Sequence, residues 1–154
     1  MTTPATRSPD EPMQPPAAHP GSTAARLIDQ HLLTRRITVA LSLAVIGAIH
    51  ILDLPGKFAE TPYLAFAYIG IIIAAAVLIE RVLVVGSRID FLGAAALSAA
   101  VIVGFVINRT VGMPMAMGDI GNWLEPLGLL SLVVEFFAIW QALVAALVYH
   151  RRAR

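Results

Sequence analysis

An all-α integral membrane protein, a four-helix antiparallel bundle with a disordered N-terminal tail, is the fold class that this sequence predicts. Three observations carry it. Of 154 residues, 58% are hydrophobic and only 14% charged, with a mean hydropathy of +0.77, which is too apolar to cover a water-soluble surface. Four long apolar stretches follow one another, each near the roughly 20 helical residues that cross a hydrocarbon core of about 30 Å. None of them alternates polar with apolar residues, which excludes a closed β-barrel.

The elements follow in order. Residues 1–21 hold six of the ten prolines and almost no large aliphatic side chains, so they cannot offset their ordering entropy and read as a disordered tail. No apolar run follows a short basic start, so the tail is not a signal peptide. Residues 22–36, with Leu27, Leu32 and Leu33 among polar neighbours, read as an interfacial helix or the leading turns of the first span. The spans cover about 37–54, 62–85, 89–107 and 127–149. Pro55-Gly56 is expected to end the first, while Thr61-Pro62 and Glu125-Pro126 open the second and fourth with proline at the first helical position.

Orientation follows from the basic residues. Nine of the eleven Lys and Arg lie in the N-terminal region, the second connection and the C-terminus; only Lys57 and Arg109 lie on the other side. The positive-inside rule therefore predicts a plasma-membrane protein with both termini cytoplasmic. Each span also carries small residues four apart, namely Ala40/Ala44/Ala48, Gly70/Ala74, Ala96/Ala100/Gly104 and Ala138/Ala142/Ala146. Such rows let helices approach closely where lipid removes the hydrophobic driving force, and they are expected to form the contacts.

Polar residues at membrane depth are the candidates for function, because a charge there costs roughly 2.5–3.5 kcal/mol on insertion scales. Glu135 lies eight residues past Leu127, about 12 Å down its helix, on the face of Ala138 and Ala142. It is expected to point into the bundle, either protonated or paired with Arg109. His50 and Asp53 share a face of the first span and Asn108-Arg109 closes the third, giving a buried cluster of His50, Asp53, Asn108, Arg109 and Glu135. His50 faces away from the Ala40/Ala44/Ala48 row, which argues against full convergence. Loop candidates beside the cluster are Glu60, Asp119, Trp123 and Glu125. Met113, Met115 and Met117 alternate in "GMPMAMG", a weak copper pattern that plain membrane anchoring explains better. Ser98 and Ser131 read as ordinary packing hydroxyls, and the charges around Glu80-Arg81 and Arg88-Asp90 as solvated turn residues.

Other chemistry is excluded by inventory. With no cysteine, disulfides, thiolate metal sites and iron–sulfur clusters are out. One intramembrane histidine cannot supply a bis-histidine haem, and no phosphate loop, catalytic triad or i, i+4 histidine pair is present. No cofactor is expected.

In "NRTVGMP" (108–114) and "DIGNWLEPLGLLSLVVE" (119–135) the chain resembles a group of small four-span actinobacterial membrane proteins. That group shares an Arg-Thr-Val-Gly-Leu/Met-Pro motif after the third span and a Glu-Pro start to the fourth. Its first connection pairs a His at the end of the first span with a Pro and a later Glu, matching His50, Pro55 and Glu60. Some members carry a second His where this chain has Lys57. The resemblance covers most of 37–150 and implies that Arg109, Glu125 and Glu135 belong to one set; it implies no activity.

The sequence thus points to a non-enzymatic membrane protein, structural or accessory to a membrane complex. The alternative is a small transport or sensing protein that uses the polar cluster for a proton or metal. Its partners are the lipid bilayer and a membrane protein or second copy of the chain, not nucleic acid.

Overall fold

The computed structural model describes residues 20–152, and the side chains of 27 and 30–149 within them; most of the tail expected over 1–21 falls outside. Among the described residues there are four long helices and no strand: α1 (Pro20–Glu60), α2 (Pro62–Val84), α3 (Arg88–Thr110) and α4 (Pro126–Arg152). All four are long and apolar enough to cross a membrane. The connections after α1 and α3 lie at one end of the bundle, called distal below; the α2–α3 turn lies at the other end, with the first turns of α1 and the last of α4. Around the bundle α1 packs on α2 and α4, and α3 packs on α4, while the α2–α3 seam is thin and α1 scarcely meets α3.

The first helix does not end at Pro55. It continues to Glu60, with Pro55 inside it. A proline removes one hydrogen bond, and near the end of a span that loss is small because water or polar groups can satisfy the freed carbonyl. Lys57 also reaches back one turn to Asp53, Nζ to Oδ2 3.9 Å, bracketing the proline. The break comes instead at Thr61, before Pro62.

The half of the bundle near the termini is solid. Val39, Leu43 and Ile46 of α1 pack with Val82 of α2, Phe91, Ala94 and Ala95 of α3, and Ala138, Ala142, Ala145 and Ala146 of α4. Only the α4 alanine row behaves as expected. Ala44, Ala48, Ala96 and Ala100 are exposed, as is Gly70. The buried stripe of α1 is made of large side chains that fill the groove over the α4 alanines, so one small-residue face suffices for a close helix pair. Leu41, Leu52, Phe66, Val133 and Phe136 project outward, the exterior a bilayer requires.

Charged groups lock the α2–α3 turn. Asp90 is 2% exposed, not solvated as expected. Its carboxylate accepts from the Ser87 backbone N–H at 2.9 Å and from Arg81 Nε at 2.5 Å, closing a capping box at the start of α3. Arg36 of α1 donates to the Val85 carbonyl at 2.9 Å and to the Tyr149 hydroxyl at 2.8 Å. Gly86 takes a φ of +62°, which favours glycine, and a Cβ there would stand 2.3 Å from the Arg36 guanidinium and displace it from its hydrogen bonds.

Candidate functional site

The distal half is hollow. A cavity of about 230 Å³ opens between the helices, and His50, Asp53, Asn108, Arg109 and Glu135 all line it. A water takes about 30 Å³ of liquid volume, so the space admits several waters or one small organic molecule.

His50 reaches the cavity because it continues the buried stripe of Leu43 and Ile46, one helical turn beyond Ile46. In the row from which it points away, Ala44 and Ala48 face outward although Ala40 is buried, so at the level of His50 the objection to its convergence falls. Its Nδ1 donates to the Ile46 carbonyl at 2.8 Å, and in the neutral ring Nε2 keeps its lone pair. The ring meets Tyr68 of α2 edge-on, centroids 4.7 Å apart, and the Tyr68 hydroxyl donates to Asp53 at 3.1 Å. Tyr68 was not anticipated, although a phenol in mid-span is the same kind of signal as Glu135.

Across the cavity Glu135 is fully buried. Ser131, one turn earlier, donates to its Oε1 at 2.5 Å, and Oε2 has no hydrogen-bond partner. Ser131 is thus more than a packing hydroxyl: it lines the cavity and orients the carboxyl. Ser98 is buried with its own Oγ unpartnered.

Arg109 does not pair with Glu135. Only 4% exposed, it gives Nη1 to Asp119 Oδ1 at 3.1 Å and Nη2 to Glu125, with its guanidinium 5.1 Å over the Phe105 ring. Asn108 donates to Asp119 at 2.8 Å, and Lys57 stands 3.8 Å from the same carboxylate. Arg109 lies at the very end of α3, two acidic residues of the following loop fold back onto it, and Glu135 lies more than two turns deeper on α4 than Glu125. Short ion pairs at the rim therefore outcompete a deep one. Partial burial pushes the Asp119 carboxyl up, but the Asn108 amide and the charges of Lys57 and Arg109 outweigh it and hold the group below its ordinary value.

These contacts make residues 111–125 a cover over the cavity. Tyr63 at the start of α2 donates to the Pro114 carbonyl at 2.7 Å, and Trp123 meets Phe105 edge-on at 6.1 Å between centroids. Gly128 lets Phe105 approach so closely that a Cβ there would lie 2.6 Å from the ring. Met113 lines the cavity, whereas Met115 and Met117 are 71% and 59% exposed, so the three thioethers do not share a direction. Glu60 stands exposed at the last position of α1. Among the described residues no group of three or more His, Asp or Glu is arranged to hold a metal ion.

No family model matches this chain. No curated protein and no solved structure matches it either.

Proposed function

We propose that this chain is a small plasma-membrane protein, with both termini cytoplasmic, that binds a small ligand in its distal cavity in the course of transport or sensing. The observation that carries this reading is that polar residues from all four helices, among them His50, Asp53, Tyr68, Asn108, Arg109 and Glu135, line one open space instead of filling it. A network whose only task was to fix helix register would be expected to satisfy its own polar atoms. Here Glu135 Oε2, Asn108 Oδ1 and Arg109 Nε are buried without partners.

Gly104 supplies the test. It lines the cavity, and a Cβ added there has no atom within 4 Å, so Gly104→Leu starts in open space and is chosen to narrow the cavity. Native mass spectrometry of the purified protein is expected to show a bound small molecule in the natural chain and its loss in Gly104→Leu, with thermal stability retained. Identical spectra for the two would overturn the reading.

A second reading, an accessory protein whose polar residues organise the bundle, draws on the Arg109–Asp119–Glu125 clasp. That clasp ties the cover to α3, and it uses a different set of residues from the His50, Tyr68, Ser131 and Glu135 wall. Both roles fit one molecule: the rim holds the cover, and the wall meets the ligand.

A further inference from the structure

The cavity has a way out, and it leads sideways. At the end near the termini α2 and α3 are close, with a Cβ at Gly93 coming within 3.0 Å of Leu78. Toward the distal end the thin α2–α3 seam carries small residues, and Gly70 of α2 and Gly104 of α3 have nothing within 4 Å of a Cβ. Ala67 and Ala100, one on each helix, line the cavity and are exposed at the same time. The seam at these small residues faces the hydrocarbon, so a molecule dissolved in the bilayer reaches the cavity without crossing the cover.

The wall also selects for charge. Both cations at the rim are already held, Lys57 between Asp53 and Asp119, and Arg109 between Asp119 and Glu125. Glu135 is a further carboxyl with no cation in reach, and its Oε2 has no partner. Nε2 of a neutral His50 adds another acceptor, whereas the Tyr68 and Ser131 hydroxyls spend their protons on Asp53 and Glu135. The wall therefore offers acceptors and one carboxyl, Glu135, that a bound cation would hold in its ionised form, while Ile49, Ile71, Leu97 and Val101 offer apolar surface. An anion would find both cations already engaged, and a plain hydrocarbon would leave buried polar atoms unpaired.

We propose that the cavity takes a lipophilic amine from the bilayer through the α2–α3 seam, its ammonium bound by Glu135 and His50 and its apolar body lying against Ile49, Ile71, Leu97 and Val101. The proposal rests on the ligand-binding reading above and gives that ligand a chemical class.

Three matched probes test it: benzylammonium, benzyl alcohol and phenylacetate, titrated calorimetrically into the full chain in phosphatidylcholine nanodiscs, with empty nanodiscs subtracted. The ammonium is expected to bind more tightly than either of the others by roughly tenfold or more. Glu135→Gln is expected to abolish that preference while leaving the alcohol within about twofold. The comparison of probes on the natural chain needs no variant, so it stands even where Glu135→Gln fails to fold. Equal or tighter binding of the alcohol or phenylacetate overturns the amine and leaves the cavity reading in place; so does a preference that survives Glu135→Gln. Absence of binding by all three overturns the amine as well. The cavity reading itself falls only with an unchanged native spectrum in Gly104→Leu.

Discussion

Ser131 and Glu135 form a half-satisfied pair on one face of α4: the hydroxyl donates to Oε1 at 2.5 Å, and Oε2 of the same carboxyl is left without a partner. Removing the hydroxyl should therefore strand the whole group. Ser131→Ala is expected to lower stability by about 1–3 kcal/mol, the cost of a buried polar group losing its partner, while Ser131→Thr keeps the bond and most of the stability. Thermal unfolding in detergent measures both. An unchanged midpoint in the alanine variant would mean that water already does the work of the hydroxyl.

The rim behaves differently, because Arg109 is the hub on which two carboxylates close. Arg109→Ala leaves Glu125 without its cation and Asp119 with Lys57 alone, and a loss of about 3 kcal/mol is expected. Arg109→Lys restores the charge but not the fork that reaches both partners, so it should recover only part of that loss. Limited proteolysis within 111–125 is the direct readout, since the cover opens before the helices do.

The membrane class and the helix count were legible because length and hydropathy decide them, and neither depends on side-chain contacts. That His50, Asp53, Asn108, Arg109 and Glu135 face one space was legible because a polar group in an apolar run must point inward, whereas Lys57, Tyr68 and Ser131 on the same wall were missed. The pairing of these groups was not legible. Arg109 was a candidate partner for Glu135, beside a protonated Glu135, but the choice among three carboxylates depends on how residues 111–125 fold back, and no periodicity encodes that. Pro55 misled because its effect depends on depth in the membrane, and the alanine rows misled because small residues are common on lipid-facing surfaces too. Asp90 looked solvated since its partner Arg81 lies across a turn whose tight geometry only Gly86 and the capping box reveal.

Orientation is open to a clean test, because the chain contains no cysteine to give background. Asn122 is exposed in the cover and Leu27 is exposed near the start of α1. In intact cells a membrane-impermeant maleimide is expected to label Asn122→Cys and to label Leu27→Cys only after permeabilisation. The opposite pattern would reverse the topology that the basic residues predict and place the cavity on the cytoplasmic side.

Acid should loosen the cover first. The Asp119 carboxyl is held below its ordinary value by Asn108, Lys57 and Arg109 against the effect of burial, so its folded-state value lies below its unfolded one. A group of that kind stabilises the fold fully above its unfolded value, about pH 4, and the contribution disappears as pH falls through the lower folded value. The natural chain is thus expected to be more stable than Asp119→Asn by a constant margin from neutral pH down to about pH 5, and the margin should close in stronger acid. Other carboxylates titrate over the same range in both proteins, so the difference between the two unfolding midpoints isolates Asp119. A margin that stays flat through the acid limb would mean that Asp119 acts through its shape and hydrogen bonds to Asn108, with the charges of Lys57 and Arg109 contributing nothing to the closure of the cover.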